Sequence, residues 1–304
     1  MHTAEKIVTK ISKNFPGFRD SFPEIITTQR SSDGTVKILF EFADHSRVES
    51  VIMPFHRRDT VCLSTQVGCA MGCTFCRTGS AGFFRHLTGQ EIAAQYMSCY
   101  QWIIDERHKA HIPKPNIVFM GEGEPLHNFE ELKTACGIFL AREGVYLGPR
   151  QITLSSAGYL PGLQRMSELP PINFALSLHS AFHEKRLQLI PLEKKYPLEE
   201  IIPVLEKLPL KKNQFINLEY LLIKGFNDTE EDAHELYTLT TRLRAIVNII
   251  PLNIIKGSLW EAPDEKTVSN FKAMLVARDV RTMVRISRGQ DIDAACGQLK
   301  GSSS

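Results

Sequence analysis

From Val61 to Ile286 the chain alternates short apolar runs with longer stretches of helical pattern, and this alternation limits the fold more than any other feature. The apolar runs are Val61 to Thr65, Asn116 to Met120, Gln151 to Ser155, Ile172 to Leu178, Phe215 to Ile223, Ile246 to Ile250 and Arg281 to Ile286. Helical stretches separate them: one opening at the capping box Thr88-Gly-Gln-Glu91, then Phe129 to Arg142, Leu160 to Met166, Leu198 to Leu208, Thr229 to Leu243 and Lys266 to Arg278. Apolar strands interleaved with helices predict a parallel sheet with helices outside. Six such units without a dinucleotide fingerprint predict an α/β fold of one kind, a partial (β/α)6 TIM-like barrel rather than a doubly wound sheet. In barrels of this kind the working groups sit at the C-terminal ends of the strands.

Upstream, Glu5 to Phe15 carries a weak helical pattern that breaks at Pro16-Gly17. Val36 to Phe42 and Arg47 to Met53 flank Ala43-Asp-His-Ser46 and predict a β-hairpin. The expected organisation is therefore a lead-in and hairpin over 1–55, the barrel over 56–290 and a tail over 291–304. A chain of 304 residues suffices for one large domain. Its net charge of +2 tolerates a nucleic-acid partner without requiring one. Seven cysteines with no secretory leader fit a reducing cytoplasm rather than a disulfide framework. No apolar run reaches the roughly 18 residues that a membrane span needs, so no membrane association is expected.

The strand-end rule sorts the motifs. Cys69-Ala-Met-Gly-Cys73-Thr-Phe-Cys76 follows the first strand, and Gly121-Glu-Gly-Glu124-Pro125 follows the second. Ser155-Ser-Ala-Gly158 follows the third, Ser177-Leu-His179 ends the fourth, and Pro251-Leu-Asn253 ends the sixth. All of them converge on one rim. The C-x3-C-x2-C spacing lets one loop wrap one soft metal centre. A 4Fe–4S cluster held by three thiolates keeps one iron open, as radical S-adenosylmethionine (SAM) chemistry requires. The competing reading is a zinc loop that lacks its fourth ligand, although closed zinc sites usually pair four ligands. Gly121 and Gly123 let the backbone approach a ligand closely. His179 alone reads as a structural histidine; at the rim it becomes a candidate binding group.

Two more cysteines flank this core. Cys62 lies in the first strand, and Cys296 lies in the polar tail beside Gly297, a turn signal. Cys99 and Cys136 fall within helices and read as inert core thiols. Cys62 on its own also reads as a core residue. An accessible Cys296 in a cytoplasmic enzyme is a candidate nucleophile.

From about Val36 to Leu299 the chain resembles the RlmN/Cfr family of radical-SAM RNA adenosine methyltransferases. The resemblance rests on Val61-Cys-Leu-Ser-Thr-Gln-Val-Gly-Cys69, Val118-Phe-Met-Gly-Glu-Gly-Glu-Pro-Leu126, Ser177-Leu-His179, Ile190-Pro-Leu with Lys194-Lys-Tyr196, and Arg288-Gly-Gln-Asp-Ile-Asp-Ala-Ala-Cys-Gly-Gln298. The RlmN branch fits the tail and the Lys194-Lys-Tyr196 segment better than the Cfr branch. The resemblance implies that Cys69, Cys73 and Cys76 hold a 4Fe–4S cluster. It implies that Gly123, Glu124, Ser155, Ser177, Leu178, His179 and Asn253 contact SAM. Two SAM molecules would serve each turnover: one methylates Cys296, and the other is cleaved to a radical that abstracts hydrogen from that methyl. The resulting carbon would add to adenine, at carbon-2, in rRNA or tRNA. Cys62 would resolve the adduct, leaving a transient Cys62–Cys296 disulfide, with Glu49 as a candidate proton acceptor. The electron would come from a donor such as flavodoxin or ferredoxin.

The chain departs from the family in two places. Glu122 stands where the family usually has Met, which places a carboxylate near the expected SAM site. Only a short lead-in precedes the hairpin, where RlmN-type proteins carry a helical domain that helps grip RNA. RNA contact would then fall to Arg57, Arg58, Arg77, Arg85, Lys185, Arg186, Lys194 and Lys195 around the rim. A radical-SAM enzyme using the same cysteine pair on a non-RNA substrate is the competing reading.

Overall fold

The computed structural model describes residues 3–108, 112–255 and 257–300; Gly301 to Ser304, at the end of the expected tail, lie outside them. In chain order the elements begin with helix α1 (Thr3–Asn14) and strands β1 (Glu24–Arg30), β2 (Val36–Glu41), β3 (Arg47–Met53), β4 (Thr60–Cys62) and β5 (Gln66–Gly68). Then come α2 (Arg77–Ala81), β6 (Phe83–His86), α3 (Gly89–Arg107), β7 (Asn116–Phe119), α4 (Phe129–Leu140), β8 (Ile152–Ser156), α5 (Leu160–Leu163) and β9 (Asn173–Ser177). The chain continues through α6 (His183–Leu189), α7 (Leu198–Glu206), β10 (Ile216–Leu222), α8 (Glu230–Arg242), β11 (Ala245–Pro251), α9 (Glu265–Val276) and β12 (Thr282–Val284).

Ten strands form one sheet in the order β1-β2-β3-β4-β7-β8-β9-β10-β11-β12. From β4 to β12 every pairing is parallel, which is the expected partial barrel. The sheet does not close on itself, because β1 and β12 are its two edges. The expected hairpin is β2 and β3, and it joins β4 antiparallel. Two features were not visible in the sequence pattern. β1 adds an outer strand whose residues are all exposed, so it lacks the half-buried alternation that marks a strand. The first strand also ends at Cys62, and Gln66–Gly68 turns away to pair with β6 in a separate hairpin.

Side chains along the parallel strands alternate between two faces. Ile117, Leu154, Phe174, Leu218 and Val247 point outward and are fully or almost fully buried in the main core under the helices. Their neighbours Val118, Thr153, Asn217 and Asn248 line an interior space. Burying each large outward side chain contributes about 1.5–3 kcal/mol, so the outer layer carries the barrel's stability and frees the inner face for polar groups. The expected capping box on α3 is present: Thr88 Oγ1 accepts from Glu91 N at 3.1 Å, and Thr88 N donates to Glu91 Oε2 at 2.8 Å.

Candidate active site

The cysteine loop leaves β5 through a tight crossing. Gly68 has φ +74°, and a Cβ there would stand 2.0 Å from Gly82 O, so only glycine fits where the two strands meet. Cys69 N donates to Gly82 O, Cys76 N to Cys73 O, and Thr74 N to Leu189 O. A Cβ on Gly79 would meet Cys73 N at 2.9 Å, so α2 starts tight against the loop. Cys69, Cys73 and Cys76 are free thiols that face one cavity at the C-terminal ends of the strands. Burial pushes the Cys69 thiol up to about 12 and raises Cys73 and Cys76, with the neighbouring thiols and Glu124 adding to the shift at Cys73. Such thiols ionise readily only beside a cationic centre. Among the described residues no three His, Cys, Asp or Glu groups gather on a single-ion site. Three thiols from one loop that line one cavity fit a cluster with an open iron better than a closed zinc site, which usually takes four ligands.

The same rim cavity is lined by Gly123, Glu124, Ser155, Ser177 and His179. The glycines of the second loop line the cavity and have a packing role besides. A Cβ on Gly121 would meet Leu63 C and O at 2.7 Å, and one on Gly123 would meet Gln66 Cβ at 2.6 Å. Their small size serves the packing of β7 on the chain's own first strand as well as access to the cavity. Glu124 bridges two loops, accepting from Ala157 N at 2.8 Å and from Leu126 N at 3.1 Å; burial lifts its carboxyl to about 7. Ser155 Oγ and Ser177 Oγ lie 3.4 Å apart. His179 holds a left-handed turn (φ 60°), accepts from Leu221 N at Nδ1, and meets Phe75 edge-on at 4.9 Å. Burial and the Arg186 charge push its imidazole down to about 3, so it is neutral and directs its other ring nitrogen away from β10.

Leu178 and Asn253 do not line this cavity. Leu178 is buried in the main core. Asn253 holds the tail: Nδ2 donates to Cys296 O at 3.3 Å, and Oδ1 accepts from Gln290 Nε2 at 2.7 Å. Glu122 does not line the rim cavity, but its charge raises the Cys69 and Cys76 thiols. The carboxylate thus stands near the cluster loop while also tying the β7 loop to β3, where Glu49 N donates to its Oε1 at 2.8 Å.

A second, inner cavity opens among the strands below the rim. Cys62 and Cys296 both line it. Met120, Glu219, Ile250, Arg285, Cys296 and Leu299 line both cavities and form their common wall. Cys296 is the one exposed thiol of the seven, and Cys62 is buried. Burial and the neighbouring Cys296 push the Cys62 thiol up to about 12, against the pull of Arg285. All seven cysteines are free of disulfides, and Cys62 and Cys296 are not bonded to each other.

The tail is held by contacts from distant elements. Arg77 N donates to Gly297 O and Thr78 Oγ1 to Leu299 O. Arg77 pairs with Asp293 at 2.8 Å, Ser32 N donates to Asp291, and Gly289 N donates to Asp33. Glu49 lines neither cavity. Its carboxylate lies 3.0 Å from Lys37 Nζ and accepts from Lys300 N at 2.6 Å.

Of the basic groups expected to face RNA, four carry carboxylate partners. Arg77 pairs with Asp293, Arg85 with Asp44 and Glu91, and Lys185 with Asp232. Arg186 is fully buried, is paired with Glu193, and donates to the carbonyls of Leu178 and Ala157. It is a strut behind the rim rather than a phosphate contact; charge alone cannot reveal this, because a lone arginine in a sequence reads as surface. Arg57, Lys194 and Lys195 are exposed. Sequence reading also missed Arg285, Glu219 and Asn248 on the inner face. Their signal was polar residues at alternate positions in otherwise apolar strands.

Residues 63–237 match the family model described as the Radical SAM superfamily. The structure superposes on a radical SAM methyltransferase from Sphaerobacter thermophilus with a TM-score of 0.86 and 37% identity, covering 91% of this chain and 81% of that one. Fold, cysteine loop and rim together define a radical SAM enzyme, and residues of the right kind for a 4Fe–4S cluster and SAM surround one cavity. The chain is 42% identical to the probable dual-specificity RNA methyltransferase RlmN of Akkermansia muciniphila, over 93% of this chain and 79% of that protein. It is also 42% identical to the dual-specificity RNA methyltransferase RlmN of Lawsonia intracellularis, over 92% and 79%. The chain belongs to the RlmN family of radical SAM RNA methyltransferases. Among the described residues no helix is long and apolar enough to cross a membrane.

Proposed function

We propose that this protein methylates carbon-2 of an adenosine in rRNA or tRNA, with Cys296 as the carrier of the new carbon. One observation carries the reading: Cys296 stands in the wall shared by the rim and inner cavities, while Cys62 faces the inner cavity only. A thiol so placed takes a methyl group from one chamber and delivers it in the other. The names of the relatives supply the substrate class, RNA.

Cys69, Cys73 and Cys76 would hold the cluster, and Gly123, Glu124, Ser155, Ser177 and His179 would face SAM. Leu178 and Asn253 would act from behind, by shaping the rim and fixing the tail. When bound, cluster and SAM supply an electrophilic methyl group and, on one-electron reduction, a hydrogen-abstracting radical. Two SAM molecules per turnover and an electron donor such as flavodoxin or ferredoxin follow from those two demands.

The chain's own residues do the rest. Cys296 loses its proton, and its sulfur takes the methyl group. This detour is needed because adenine carbon-2 is electron-poor and cannot attack a methyl sulfonium itself. Once the Cys296 methyl has lost a hydrogen atom, its carbon would bond to adenine carbon-2 in the inner cavity. The adduct then gives up one electron, returned to the redox centre, and the carbon-2 proton, which leaves the base joined to Cys296 by a thioether. The Cys62 thiolate then attacks the Cys296 sulfur. The carbon–sulfur bond breaks with its electron pair on the methylene carbon, which takes up a proton to become the methyl group of the base, and a Cys62–Cys296 disulfide remains for external thiols to reduce. Arg285 lines both cavities, and its charge pulls the Cys62 thiol toward the anionic form. Glu49 remains a candidate proton acceptor in this reading, and its contacts to Lys37 and Lys300 also fix the tail. The setting is the cytoplasm, where the thiols stay reduced between turnovers.

Cys62→Ala tests this division of labour. Purified from cells and treated with ribonuclease, it should carry a nucleotide mass on the tryptic peptide that holds Cys296, and thiol reductant should leave that thioether intact. A Cys296 peptide bearing neither methyl nor nucleotide, while the wild type modifies RNA, would overturn the carrier role.

A further inference from the structure

The inner cavity carries polar groups that methyl transfer leaves unused. Glu219 of β10 and Asn248 of β11 are register partners in the parallel pair, and both face the cavity. Asn248 Nδ2 donates to Glu219 Oε1 at 3.0 Å. A carboxylate accepts, so this contact decides which end of the amide faces Glu219. The other end, Asn248 Oδ1, is buried and has no hydrogen-bond partner among the described residues. Native chains rarely leave a buried acceptor without a donor, which marks this oxygen as awaiting one.

The surroundings suit a flat, mostly apolar ring. Val51, Met53, Val118 and Ile250 line the same cavity. Phe55 and Arg288 also line it, with the Arg288 guanidinium 4.7 Å from the centre of the exposed Phe55 ring. A stacked guanidinium and aromatic ring give an incoming base a face to slide against.

We propose that the inner cavity receives the target base and that Asn248 selects adenine by accepting from its exocyclic amine. The proposal rests on the function proposed above and adds the residue that sets base specificity. An Asn carboxamide pairs an amine donor and an adjacent ring nitrogen, the pattern adenine presents. Guanine presents a carbonyl at the position of that amine, and two acceptors would then face each other. While Glu219 is ionised it holds the donor end of the amide, which keeps the acceptor end toward the base.

The test uses a synthetic RNA stem-loop, taken from whichever site the wild-type enzyme modifies in total rRNA and tRNA. One version carries adenosine at the target and the other carries purine riboside, which lacks the amine. Wild type should lose roughly tenfold to a hundredfold in kcat/KM on the purine version, within the discrimination that a hydrogen-bonding site affords. Asn248→Leu should show a similar loss on adenosine RNA and match wild type on purine RNA, the second result reporting an intact fold. Asn248→Ser repeats the cycle with a smaller side chain in case Leu disturbs packing. Equal wild-type rates on both RNAs would overturn the proposal, as would losses in both Asn248 variants that are the same on both RNAs. A wild-type enzyme that modifies no RNA adenosine would instead sink the proposed function.

Discussion

The cysteine loop and the tail both carry working thiols, yet they are placed by opposite means. The loop follows β5, is braced by backbone bonds to Gly82 and Leu189, and carries its three cysteines within eight residues. The tail has one three-residue helical turn, Gln290–Ile292, and takes its place from side chains spread over the sequence. Asp33, Lys37, Glu49, Arg77, Thr78 and Asn253 all touch it. Apart from the Thr74 N–Leu189 O bond, the loop is braced by its own neighbours in the chain, Gly82 and Cys73, so most of its geometry is local. A tail held from many sides is positioned only once those elements have assembled.

The largest expected effect breaks the loop. Changing Cys69, Cys73 and Cys76 together to Ala should remove all iron from anaerobically reconstituted protein, read by iron content and visible absorbance, with the fold retained by circular dichroism. Cluster absorbance surviving in that variant would assign the iron elsewhere.

Next comes the strut behind the rim. Arg186→Met leaves Glu193 buried without its charge partner, a change that costs about 3–5 kcal/mol. Thermal unfolding should fall by roughly 5–15 °C. An unchanged midpoint would mean that the pair carries no structural weight.

A smaller effect comes from His179, which tells rim packing apart from tail contacts. Its folded value near 3 lies below the ordinary 6.5, so the unfolded chain binds the extra proton between those values. Stability from this group is complete above pH 6.5 and is lost as pH falls toward 3. Between pH 6.5 and 5 the loss should be about 1.6 kcal/mol. Urea unfolding of wild type and His179→Gln across that interval measures it; parallel slopes would place the acid sensitivity elsewhere.

The smallest stability effect sharpens the contrast. Asp293→Ala removes the half-exposed pair with Arg77, worth under about 1 kcal/mol. Unfolding should barely shift. Methylation of Cys296 should nevertheless drop several-fold, because the tail loses one of its few anchors to the cluster loop. If methylation is unchanged, the remaining tail contacts suffice to place Cys296.

Legibility followed the same divide. The parallel barrel was readable because outward side chains recur at every second position and helices intervene, as at Ile117, Leu154 and Leu218. The cluster loop was readable because its chemistry is compressed into C-x3-C-x2-C. The edge strand β1 was not, since it buries nothing. Arg186 was misread as a surface charge, because burial of a charge depends on a partner, here Glu193, that lies seven residues on and meets it only when α6 folds back. The tie of Glu122 to β3 was not readable either, since its partner Glu49 N lies seventy-three positions away.

By itself, then, the amino-acid order determined which residue types lie on each strand face and which thiols share a loop, because both depend on spacing of a few residues. The tertiary structure alone decided that Cys296 stands in the wall between two cavities, that Cys62 faces only the inner one, and that Asn248 lines that same cavity with an oxygen that has no partner among the described residues. These relations join residues more than a hundred positions apart. Only the pairing of distant strands and the capture of the tail bring such residues within reach of one another.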